Sequence, residues 1–304
     1  MGTYAVGTTD LTLDEPAPGS GEAPRLLPTT IWYPRSSGRP GGLPDRADGP
    51  FPLLVFSQGF LTPVLSYETL LRDWASAGYV VSAPTYPETD PVPTTPATLT
   101  TLNKQESDIV NHPRDLQFVI DAIVAKAGRP GWSLSGMVAD GEVGVVGQSD
   151  GGDVSLAVAA NTVWYDPEVK AVAVLSGAEF ADFGGSYFSV PHLPILVVQS
   201  NADSVNVPAC SVQIYNSAPG PKYYLDLLGP TGLPPWDIHL APYTRSGEYL
   251  SVVAAVTIDF FDTELAGDAA AAADMAGAGS VAGVAQFSSG PAAPTPPGAC
   301  PTAP

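Results

Sequence analysis

A chain of 304 residues is long enough to bury one substantial core, and a 44% hydrophobic, 14% charged composition is that of a globular protein rather than a disordered one. Its formal net charge of −19, from 31 acidic against 12 basic residues, repels phosphate backbones and anionic lipid surfaces and argues against nucleic-acid or peripheral membrane partners. No apolar run approaches the roughly 20 residues of a spanning helix, so no membrane span is expected.

Short apolar runs alternate with longer amphipathic segments along the chain, the pattern of an α/β fold with a largely parallel sheet. Residues 8–13 and 29–33 read as two leading strands, followed by an exposed Gly-, Pro- and Arg-rich loop over 34–50. The continuous apolar run 52–56 suits a buried central strand, 66–77 a helix with Leu70, Leu71 and Trp74 on one side, and 79–83 another strand. Many Pro and Thr residues make 84–101 a long loop. Helical spacing of Leu116, Val119, Ile120 and Ile123 predicts a helix over 114–126, with Pro113 at its start. A strand over 142–146 leads into a helix that begins after Ser149. Further strands are read at 170–175, 194–199 and 222–227, the last followed by a loop through His239 and a helix over 247–265. A short helix over 267–275 follows. Residues 1–289 thus read as one domain, and 290–304 as a flexible Pro- and Ala-rich tail.

One segment carries a chemical signature. Gly147-Gln148-Ser149-Asp150-Gly151 fits G-x-S-x-G, in which a serine sits on a tight, strained strand-to-helix turn. The flanking glycines leave no side chains to collide across that turn, and the new helix aims its first N–H groups at developing negative charge. The apolar runs on either side supply the strand and the buried helix that such a turn requires. Ser149 is therefore the expected nucleophile.

A serine needs a base, and the chain offers only three histidines. His112 precedes Pro113 at a helix start, where capping or exposure explains it. His192 lies at the entry end of a strand, away from the carboxyl edge where sites form. His239 follows the last strand read before the final large helix, returns to that edge, and completes the chain order serine, acid, histidine. The acid is expected just beyond the strand 194–199, where Asp203 stands; Asp237 and Asp226 are rivals. Two backbone donors should form the oxyanion hole: the N–H of Asp150, and that of Phe60 in the loop Ser57-Gln58-Gly59-Phe60. Gln58, Gln148, Tyr86, Phe180 and Trp236 are read as lining the substrate cleft, with ordinary packing the alternative for the aromatics.

Cys210 and Cys300 match no zinc or redox spacing. They are either two separate thiols or, as we expect, a disulfide tying the tail to the body. A bridge would require an oxidising compartment, which favours a secreted or periplasmic protein. The opening Met1-Gly2-Thr3-Tyr4 shows no basic-then-apolar leader, so any signal peptide is expected outside this sequence.

With these pieces in place the chain resembles the bacterial platelet-activating-factor acetylhydrolase-like and dienelactone-hydrolase-like α/β-hydrolases, a group near the polyester-cleaving cutinases. The resemblance rests on Tyr4-Ala5-Val6-Gly7, on Leu27 to Pro34, on Pro52 to Phe60, and on Ala77-Gly78-Tyr79-Val80-Val81. It continues through Pro113 to Val119, Gly147 to Gly152, Val169-Lys170-Ala171-Val172 and the Asp203 and His239 segments. It implies an α/β-hydrolase fold with a mostly parallel sheet of about eight strands, and no metal or organic cofactor. The chain departs from the family at Gln58 and Gln148, where His is usual or common, which puts substrate preference in doubt. The expected function is hydrolysis of neutral or weakly charged carboxylic esters through an acyl-enzyme on Ser149. A polyester or cutin hydrolase, acyl transfer to another alcohol, and a catalytically silent binding protein are the alternatives. Oligomeric state is not legible.

Overall fold

The computed structural model describes residues 2–17, 23–36, 44–88, 108–229, 232–290 and 299–300. The part of the 84–101 loop beyond residue 88, residues 37–43 of the earlier loop, and most of the 290–304 tail lie outside them.

The first two strands, β1 (Ala5–Glu15) and β2 (Arg25–Arg35), pair antiparallel along their full length. Six parallel strands follow: β3 (Phe51–Ser57), β4 (Val80–Pro84), β5 (Val138–Gln148), β6 (Val169–Leu175), β7 (Ile195–Ser200) and β8 (Lys222–Leu227). β4 also meets β2 antiparallel, and β9 (Ala285–Ser288) adds an antiparallel edge beside β8. The nine strands form one sheet in the order β1-β2-β4-β3-β5-β6-β7-β8-β9.

Helices cover both faces, which is why the central strands are apolar without alternation. Successive side chains of a strand point to opposite faces, so one run feeds two cores. Leu53, Val55, Val143, Val145, Val172 and Val174 pack with α2 (His112–Ala127), α3 (Asp150–Ala160) and α4 (Pro208–Ser217). Leu54, Phe56, Val146, Leu175, Leu196 and Val198 pack on the other side. Their partners there are α1 (Glu68–Ala77), α5 (Pro235–Thr244), α6 (Glu248–Glu264) and α7 (Ala269–Ala278). No helix among the described residues is long and apolar enough to cross a membrane.

Most elements lie within a few residues of their expected positions, and three differences have physical causes. The expected loop through His239 is helix α5. Pro235 starts it at a position where a missing N–H costs nothing, while Pro242, which normally breaks a helix, sits inside it near the end. Helix α4 went unread because its apolar residues are spread around it rather than gathered on one stripe. β9 went unread because four residues carry little pattern of their own; pairing with Tyr224 to Leu227 of β8 defines it.

Candidate active site

Parallel strands all end at the same edge, so β5 and β7 deliver Ser149 and Asp203 to one rim of the sheet. Ser149 caps α3 with φ 56° and ψ −126°, a conformation that a non-glycine residue adopts only when its surroundings enforce it. The enforcement is visible. The Ser149 N–H donates to the Leu175 carbonyl at 2.9 Å, and the Ser149 carbonyl accepts from the N–H groups of Gly152 and Asp153 at 2.7 and 3.0 Å. A Cβ on Gly147 would lie 2.0 Å from the Gly151 carbonyl oxygen, and one on Gly151 would lie 2.0 Å from that of Ser57. Only glycine fits at either place.

His239 is fully buried, and its Nδ1 lies 2.7 Å from Asp203 Oδ2. The acid is held from several directions. Oδ1 accepts from the N–H groups of Val205 and Asn206 at 2.9 and 3.2 Å, and Oδ2 also accepts from Gln199 Nε2 at 3.3 Å. Gln199 is fixed in turn by the Ser211 hydroxyl at 2.6 Å, and Asn206 Nδ2 donates to the Ser176 carbonyl at 2.6 Å. A carboxylate so satisfied is a fixed acceptor, and it leaves the imidazole with its proton on Nδ1 and a lone pair on Nε2.

That lone pair is occupied. Gln148 Nε2 lies 3.0 Å from His239 Nε2, so the residue beside the serine contacts the imidazole. Gln148 Oε1 accepts from the Tyr67 hydroxyl at 2.7 Å, and the Tyr67 oxygen accepts from the Gly59 N–H at 3.3 Å. Burial pushes the Tyr67 hydroxyl well above its ordinary range, so it stays a protonated donor. A Cβ on Gly59 would stand 2.6 Å from Gln148 Oε1 and 3.1 Å from Ser149 Cβ, which shows how closely the 58–60 loop runs past the serine. The Phe60 N–H, next along that loop, has no hydrogen-bond partner among the described residues.

A scan against protein-family models finds no match, and a search of curated proteins finds none either.

The remaining expected residues are spread more widely. Trp236 is 54% exposed, one helical turn before His239, with its ring edge-on to the imidazole at 5.9 Å. Phe180 is half-buried against Phe183 at 4.9 Å. Tyr86 is buried, its hydroxyl 2.7 Å from Ser57 Oγ and its ring stacked on His112 at 4.3 Å. Gln58 is buried at the end of β3, and Asp150 is half-buried at the start of α3. Of the other histidines, His192 is exposed; His112 is buried, not at the surface, with Nε2 3.3 Å from Asp108. Asp237 pairs with Arg245 at 2.7 Å, and Asp226 sits in β8 beside Gln199, so neither meets the imidazole. Cys210, on α4, is joined to Cys300. No cluster of three or more His, Cys, Asp or Glu suited to a metal occurs among the described residues.

Two residues at the site escaped sequence reasoning. Tyr67 falls inside the helix expected over 66–77, and no local signal ties it to Gln148, 81 positions on. Asp153 looks like an ordinary first-turn acid. It is buried, and Oδ1 accepts from the Ala178 N–H at 2.6 Å, binding α3 to the loop after β6. Burial first, then the charge of Asp150, pushes Asp153 well above the usual carboxylate range.

Proposed function

We propose that this chain is a serine carboxylic-ester hydrolase on an α/β-hydrolase fold, with Ser149 as nucleophile, His239 as base and Asp203 as the orienting acid. The observation that carries the reading is the strained Ser149 turn at the same sheet edge as a buried Asp203–His239 pair 2.7 Å apart. Its strand–turn–helix setting and the chain order serine, aspartate, histidine support the α/β-hydrolase assignment.

In this reading Ser149 Oγ attacks the ester carbonyl while His239 Nε2 takes the hydroxyl proton. The carbonyl oxygen becomes an oxyanion beside the N–H groups of Phe60 and Asp150. Asp203 stabilises the imidazolium without becoming protonated. Collapse expels the alcohol, which receives the proton from Nε2; water, deprotonated at the same nitrogen, then frees the acid and restores Ser149. A net charge of −19 favours neutral or weakly charged esters. The exposed indole of Trp236 beside the base also favours a second reading, in which the ester belongs to a surface too large to enter a closed pocket.

Fluorophosphonate labelling tests the proposal. The wild type should label and Ser149→Ala should not; labelling of neither would overturn the enzyme reading and leave a silent binding protein. A series of p-nitrophenyl esters of rising chain length, run beside a polyester film, then separates the two substrate readings.

A further inference from the structure

The atom that must accept the serine proton is already engaged. His239 Nε2 lies 3.0 Å from Gln148 Nε2, while Ser149 Oγ makes no hydrogen bond to any described residue. An imidazole nitrogen offers a single in-plane lone pair, so the Gln148 amide and the Ser149 hydroxyl are competitors for it. The far end of that amide fits this orientation: Oε1 accepts from the Tyr67 hydroxyl at 2.7 Å, which leaves the NH2 group to face the histidine. The same NH2 group reaches the His239 carbonyl at 3.4 Å, a second acceptor that only a donor suits. Tyr67 is set by the Gly59 N–H at 3.3 Å, in the loop that carries Phe60. One line of hydrogen bonds thus runs from the 58–60 loop to the base.

Resting on the esterase reading, we propose that Gln148 and Tyr67 are positioning residues that hold His239 Nε2 in reserve and release it to Ser149 as the substrate settles against the 58–60 loop. Release is required by the chemistry. Once Nε2 carries the serine proton it is a donor, and a donor cannot face the NH2 group of Gln148. The amide must swing away or turn Oε1 toward the imidazolium. The Tyr67 hydroxyl, able both to give and to accept, serves either arrangement. A polar side chain at position 148 therefore restrains the ground state more than the transition state.

Gln148→Met keeps the length and bulk and removes the donor. The second-order rate of fluorophosphonate labelling at Ser149 should rise about fivefold, the equivalent of about 1 kcal/mol for one neutral hydrogen bond, with kcat rising and KM little changed. An unchanged or slower rate at unchanged melting temperature would overturn the proposal. A second measurement needs no turnover. In 15N-labelled Ser149→Ala protein, a through-hydrogen-bond nitrogen–nitrogen coupling should join Gln148 Nε2 to His239 Nε2 and vanish in the same protein carrying Tyr67→Phe. No coupling in the folded protein would also overturn it, and this result stands even where Gln148→Met fails to fold. Absence of labelling in the wild type would instead remove the esterase reading, while the coupling still decides whether the hydrogen bond exists.

Discussion

Asp203 shows how much of the proposed chemistry depends on which atom bears a proton. Its carboxylate accepts at both oxygens, from His239 Nδ1, Gln199 Nε2 and the N–H groups of Val205 and Asn206. Asp203→Asn keeps the size, but the new amide must place NH2 on one side. The backbone donors at Oδ1 demand an acceptor there, so the NH2 group falls toward Nδ1. His239 then has to present a lone pair at Nδ1 and carry its proton on Nε2, where it can no longer take one from Ser149. The misplaced proton would also face the Gln148 amide, donor against donor. For Asp203→Asn, kcat should fall by about 10⁴ with a circular dichroism spectrum like the wild type's. A loss below tenfold in ester hydrolysis would mean that Asp203 does not orient the base.

At the scale of elements, the β5–α3 junction makes the serine available, and its glycines are spatial requirements. A methyl on Gly151 would meet the Ser57 carbonyl oxygen at 2.0 Å, a backbone atom with no flexible side chain to yield. Gly151→Ala should therefore push α3 away from β3, cost about 1–3 kcal/mol in urea unfolding, and abolish labelling of Ser149. Full labelling with unchanged stability would show that the junction can shift. This element was legible because its signal is local: an apolar run, G-x-S-x-G, then a buried helix. The central strands were legible for the same reason, as was the placement of Asp203 just past β7. The helix under His239 was not, because Pro234, Pro235 and Pro242 read as loop, whereas Pro242 is buried and Tyr243 packs into the core on that face of the sheet. The Tyr67–Gln148 contact was also illegible. It joins the turn before α1 to the end of β5, and nothing in either segment alone requires it.

Over the whole molecule the dominant physical fact is the excess of acid, and several carboxyls are half-buried where that excess tells. Asp226, in β8, is pushed up to about 6 by burial. Asp259, on α6, is raised to about 6 by burial and then by its neighbours Asp274, Asp262 and Asp268; Asp262 is raised by burial too, against the opposing hydrogen bond from Tyr79. Asp262 shifts in the same direction; for Asp226 and Asp259 the folded chain holds a proton that the unfolded chain has released, between the ordinary carboxylate value near 4 and about 6. Their contribution to stability is thus full in acid and is lost as pH rises through about 6. Asp108 runs the other way: against the upward push of burial, hydrogen bonds from His112, Arg25 and Asn111 hold it below the ordinary range, so its contribution is lost only in strong acid. Between pH 8 and 5.5 the raised groups decide the sign, and relief of like-charge repulsion acts in the same direction. The melting temperature should climb by about 2–4 °C over that interval, and about 0.5 M salt at pH 8 should recover part of the gain by screening. A lower melting temperature at pH 5.5 than at pH 8 would show that the paired carboxylates, not the buried and crowded ones, govern the acid side of this fold.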